Sequence, residues 1–168
     1  MNRFSRLAAL ALTATIAACG QNSPETAQPT DAATAASTSA PETKPGLSLT
    51  GGRLVLPAVK GNPAAAYFTL ANGSARPVTV AAVDVAGAGM AMLHETVQTG
   101  GHSEMKMLDR PQVSAGGMLT LAPGGKHLMI DGVPAEWKPG ASVDLTLTFA
   151  DGDKLSAPLA VEGPGGIQ

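Results

Sequence analysis

Imidazole and thioether are neutral donors that bind soft, thiophilic metal ions, and in this chain of 168 residues both are confined to one stretch. His94, His102 and His127, and every methionine after Met1 (Met90, Met92, Met105, Met107, Met118 and Met129), lie between Met90 and Met129. A single methionine on a strand is ordinarily core filler and a lone histidine is ordinarily solvated or hydrogen-bonded. The signal is therefore the confinement and the spacing. His127 and Met129 stand two apart on a predicted strand and so point the same way. Met90 to Leu108 reads as a hairpin turning near Thr99-Gly100-Gly101. A turn at Thr99-Gly100 sets His94 opposite Met105 and Met92 opposite Met107, whereas a turn at Gly100-Gly101 sets Met107 opposite His94. Both registers leave these four side chains on one face, and directly opposed residues bring their Cβ atoms to about 5 Å. Two imidazoles and two thioethers suit Cu(I); zinc prefers Cys, His or carboxylate, and hard cations want oxygen.

The remaining sequence supplies the elements that must hold such a face. Arg53 to Val59, Ala66 to Ala71, Val78 to Val85, Met90 to Val97, Ser103 to Leu108, Met118 to Leu121, His127 to Asp131 and Leu155 to Val161 read as short strands divided by Gly, Pro, Asn and Asp turns. The clearest alternation places Val143, Leu145, Leu147 and Phe149 on one face and Asp144, Thr146 and Thr148 on the other. Twenty glycines, 13 prolines and 3 % aromatics fit short strands and tight turns, so an all-β antiparallel sandwich or barrel is expected. Trp137 is expected to cover core, Glu95 to lie at the surface and His102 to be solvated beside the turn.

The ends differ in kind. Arg3 and Arg6, an apolar run from Leu7 to Ile16 and Ala17-Ala18 give residues 1–18 the anatomy of a signal peptide, too short to span a bilayer. Ile16-Ala17-Ala18-Cys19 resembles a bacterial lipobox, which implies lipidation of Cys19 and a place in the cell envelope, facing the periplasm from the inner or outer membrane. Residues 19–46 are rich in Ala, Thr, Ser, Pro and Gln and form an expected flexible tether, with a reach on the order of 30 Å. Residues 47–162 are the expected domain and 163–168 a frayed end. Cys19 is the sole cysteine, which excludes an intramolecular disulfide and a thiolate-ligated blue-copper centre within the domain. Beyond residue 18, 9 Lys and Arg face 13 Asp and Glu, a net charge of −4, which supplies no basic face for nucleic acid. No Ser/His/Asp set, paired-carboxylate motif or redox cysteine stands in a catalytic context, so a non-enzyme is expected.

The spacing His94-x10-Met105-x21-His127-x-Met129 resembles the signature of the PCu(A)C-type periplasmic copper chaperones. The likeness extends through Ala65-Ala66-Tyr67-Phe68-Thr69-Leu70, Leu93-His94-Glu95-Thr96, Met105-Lys106-Met107, Pro123-Gly124-Gly125 and Leu145-Thr146-Leu147-Thr148-Phe149, roughly Leu47 to Val161. It implies a cupredoxin-like, Greek-key antiparallel β-sandwich that binds one Cu(I) through His94, Met105, His127 and Met129. Met92, Met107 and Met90 would be accessory. It further implies delivery of copper, by a monomer, to an oxidase subunit or another chaperone in cytochrome oxidase assembly, the Cu(A) centre especially. Copper buffering or resistance without delivery uses the same site, and a structural sandwich lipoprotein uses none. Two departures stand out: family members often carry a further Met where this chain has Asp131, and the tail from Val161 to Gln168 lacks the His and Met of a second site.

Overall fold

The computed structural model describes residues 42–166. The expected signal peptide, Cys19 and the tether up to residue 41 lie outside the described residues, as do 167 and 168. Ten strands follow in order: β1 (Leu47–Val55), β2 (Ala64–Asn72), β3 (Val78–Val85), β4 (Met90–Thr99), β5 (His102–Met107), β6 (Gln112–Val113), β7 (Met118–Thr120), β8 (Lys126–Asp131), β9 (Ser142–Phe149) and β10 (Lys154–Glu162). Among the described residues there is no helix. The strands pair in the path β5-β4-β8-β2-β1-β10-β9-β3-β6, with β7 on the later part of β2. β3 returns beside β4, so the path folds over one hydrophobic core. Strict alternation puts Ala64, Ala66, Phe68 and Leu70 of β2 and Val143, Leu145, Leu147 and Phe149 of β9 into that core; Leu128 and Ile130 of β8 join them.

The strand pattern agrees with the sequence; three details differ. β1 and β10 run parallel, with Arg53 beside Ala160 and Val55 beside Glu162, so the sheet is mixed. These two strands lie at opposite ends of the domain sequence, where no hairpin turn dictates direction. β1 begins at Leu47 and not at Arg53, because Gly51-Gly52 forms a bulge rather than a turn. Gly51 has φ +64, and a Cβ on Gly52 would lie 2.9 Å from the Pro158 carbonyl oxygen. The two-residue strand β6 has no counterpart in the sequence pattern.

Polar anchors secure this body. Asn72, a turn residue by sequence, is fully buried: its amide nitrogen donates to the carbonyls of Arg76, Val113 and Ser114, and its oxygen accepts from the Ser74 N–H and hydroxyl. Lys44, expected in the tether, instead bonds Asp151 and Asp153 and lies 5.1 Å from the Phe149 ring centroid. The Ser156 N–H donates to the Glu42 carbonyl. Residues 42–46 thus pack on the β9–β10 hairpin, since one lysine reaches two carboxylates and an aromatic face together. Burial opposes the Lys44 charge, yet the hydrogen bonds to both carboxylates raise its pKa above the ordinary value. The hydrogen bond from Lys44 holds the Asp151 carboxyl below the usual carboxylate range.

Candidate metal centre

Three adjacent strands, β5, β4 and β8, carry the candidate ligands. β4 and β5 join through Gly100-Gly101, both at positive φ (+59 and +82), with Thr99 opposite His102. The resulting register places Met107 opposite His94 and Met105 opposite Thr96. Of the two registers the sequence allowed, the structure has the one that seats Met107, and not Met105, directly across from His94. On the other side of β4, His127 lies opposite His94, Met129 opposite Met92 and Asp131 opposite Met90. One continuous row therefore reads Met107, His94, His127. Met92 and Met129 form the next rung, and Met105 sits one rung the other way, diagonal to His94.

All these side chains share one face, because Leu93 and Leu128, which alternate with them, are buried in the core. The sandwich thus turns its imidazoles and thioethers outward. Met90, Met105 and Met107 are 58 %, 63 % and 65 % exposed, which removes core filling as their role; His94, His127, Met92 and Met129 are half-buried. Tyr67 follows Ala66, the partner of Leu128, and so faces the same side as His127; the Arg53 guanidinium lies 5.2 Å from its ring centroid. The far face continues past the core as a charged row in which Lys126 bonds Glu95 at 2.6 Å and Lys106 stands opposite Glu95.

The two imidazole centroids are 6.0 Å apart with planes inclined by 30°. His127 Nδ1 lies 3.0 Å from the Gly125 carbonyl. A carbonyl only accepts, so Nδ1 carries the proton and Nε2 presents a lone pair. His94 Nδ1 is buried without a hydrogen-bond partner among the described residues, as a nitrogen reserved for another ligand would be. No three of His, Cys, Asp and Glu come together among the described residues; the side-chain donors that stand beside the two imidazoles are methionine sulfurs. Such a donor set fits a soft monovalent ion and poorly fits zinc or calcium.

Position along the strands is fixed at one end by two glycines. The Gly89 N–H donates to the Asp131 carbonyl. A Cβ on Gly132, at φ +68, would lie 2.9 Å from Gly89 Cα and N. The segment entering β4 and the turn leaving β8 therefore cross in direct backbone contact. Beyond them, Met92 and Met107 line a crease of about 160 Å³ with Leu108 and Arg110. His102 is exposed at the hairpin tip, and Met118 lies on β7, paired with β2.

Residues 47–161 match the family model described as "Putative lipoprotein LpqE-like". A protein named "Putative lipoprotein Lxx21020" from Leifsonia xyli subsp. xyli is 37 % identical over 90 residues, 53 % of this chain and 52 % of that protein. The match therefore spans about half the length of that relative. Among solved structures, Cu(I)-bound DR1885 from Deinococcus radiodurans is 30 % identical, with a TM-score of 0.55 over 76 % of this chain and 83 % of its own. The copper-bound PCuAC domain of PmoF2 is 20 % identical, with a TM-score of 0.61 over 74 % of this chain and 99 % of its own. The chain belongs to the LpqE-like lipoprotein family and carries the cupredoxin-like β-sandwich of PCuAC domains.

Proposed function

We propose that this protein is a copper carrier of the cell envelope: it binds one Cu(I) as cargo through His94, His127, Met129 and Met105 and passes it to a copper-accepting oxidase subunit or another chaperone. The observation that carries this reading is the pair of imidazoles 6.0 Å apart, flanked by thioethers on a solvent-facing sheet. The named copper-bound relatives support it. Each residue has a definite task. The Gly125 carbonyl orients His127 so that Nε2 faces outward, Met129 and Met92 form a sulfur floor beside the imidazoles, and Met105 and Met107 stand on the edge strand where an acceptor would first make contact. Replacing one exposed thioether at a time lets the ion leave without becoming fully uncoordinated. This is transfer rather than catalysis, and no bond of a substrate is made or broken.

Lipidation of Cys19 would hold this face at a membrane, facing the periplasm, in keeping with the lipoprotein family. Competition with a Cu(I) chelator tests the site: His127→Ala and Met129→Ala weaken binding, and unchanged affinity in both removes it. Delivery is tested separately by oxidase activity in a deletion strain grown on limiting copper. Full activity there leaves a copper buffer.

A further inference from the structure

β5 ends the strand path, every one of its residues is exposed, and its outer edge has no partner among the described residues. Hydrogen bonding fixes which backbone groups face that open edge. The Thr96 N–H donates to Gly125, away from β5, and the Leu108 N–H donates to the Leu93 carbonyl. Residues 104, 106 and 108 of this arm therefore turn their backbone groups inward to β4, and Ser103, Met105 and Met107 turn theirs outward. An unpaired edge of this kind is a template for another strand.

We infer that the edge of β5 pairs antiparallel with β5 of a second copy of this chain, Met105 against Met105. The charge pattern selects both the partner and the register. Centred on Met105, the pairing places Glu104 opposite Lys106 of the second copy and Lys106 opposite its Glu104, while the outward N–H and C=O groups of Ser103, Met105 and Met107 are all satisfied. Sliding the copies by two residues either way opposes glutamate to glutamate or lysine to lysine, which disfavours those registers. Lys106 and Glu104 lie 3.4 Å apart at the surface, with side chains 54 % and 60 % exposed. Pairing also extends an existing ladder: Lys126, Glu95 and Lys106 already alternate in sign across β8, β4 and β5, and Glu104 of the second copy becomes the fourth member. On the opposite face the two Met105 thioethers meet at the two-fold axis, so each ligand face gains a sulfur from the other copy. The pairing stands on the edge geometry and does not depend on the copper reading.

Sedimentation of the full chain, purified as the cell makes it, tests this with charge variants. The unaltered chain is expected to associate reversibly into dimers. Glu104→Lys sets lysine against lysine and Lys106→Glu sets glutamate against glutamate, so each alone should weaken association by about tenfold. Mixing the two variants should restore dimers, because both lysines of the first variant's strand then oppose the two glutamates of the second's. A chain that stays monomeric near millimolar concentration, variants that dimerise like the unaltered protein, or a mixture that fails to recover would each overturn the inference.

Discussion

β2 and β5 belong to the same sheet and are built on opposite terms. In β2 every second side chain is buried, and the strand ends on Asn72, whose two N–H groups are shared among three carbonyls and whose oxygen accepts twice. In β5 no side chain is buried, and its alternate residues are thioethers aimed at solvent. The first strand is held by dispersion and saturated hydrogen bonding, so its neighbours have one arrangement. The second is held mainly by backbone pairing to β4 and keeps its donors unassigned. Under the proposed function, soft ligands exchange their ion only where packing does not oppose it, and the two strands stand three positions apart along the strand path.

Substitutions that load one region and spare the other sharpen the contrast. The largest effect is expected at the rigid end: Asn72→Ala removes the buried amide that ties the carbonyls of Arg76, Val113 and Ser114 to the Ser74 turn and should lower unfolding free energy by about 3–5 kcal/mol in a denaturant titration. Copper affinity of the molecules that remain folded should be unchanged. Next, His94→Ala and His127→Ala should each reduce Cu(I) affinity by roughly a hundredfold, about 2.7 kcal/mol. Stability should move by less than about 1 kcal/mol, because both side chains lie outside the core. An equal loss of stability would erase the division drawn above. Smaller still is the comparison of Met107→Ala with Met105→Ala. With Met105 as the proposed ligand and Met107 accessory, Met105→Ala should cost more affinity, by about threefold to tenfold; a larger loss in Met107→Ala would transfer the ligand role to the residue that stands directly across from His94.

The smallest effect concerns the Lys44 clasp. The Asp151 carboxyl is held below its ordinary range, so its contribution is present above about pH 4 and fades as pH falls through the lowered value. Lys44 is raised, so its contribution is full below about pH 10.5 and is lost as pH climbs through the raised value. Lys44→Gln should therefore reduce stability by a constant small amount through the neutral range, and the difference from the unaltered chain should shrink below pH 4 in acid-unfolding curves.

The strands were legible because their buried residues alternate without interruption, as in Val143 to Phe149. The bulge at Gly51-Gly52 was not, since a Gly-Gly pair signals a turn equally well and only the close approach of Pro158 decides between them. The hairpin register was nearer to legible than it looked. A two-residue turn that matches strand twist needs positive φ at both central positions, which Gly100-Gly101 meets and β-branched Thr99 would meet only under strain. The candidate face was legible in composition, but its internal order was not, because which methionine faces His94 depends on that single turn. Asn72 looked like any other turn residue; its burial follows from Val113 and Ser114, which are remote in sequence.

The crossing of Gly89 and Gly132 acts as a zero mark for this part of the molecule. Counting from it, Met92 and His94 fall at the same levels as Met129 and His127, whatever the chain does between Leu108 and Lys126. Lengthening that excursion, for example between Ser114 and Met118, leaves the levels aligned, whereas one residue added between Gly89 and His94 turns the histidine inward.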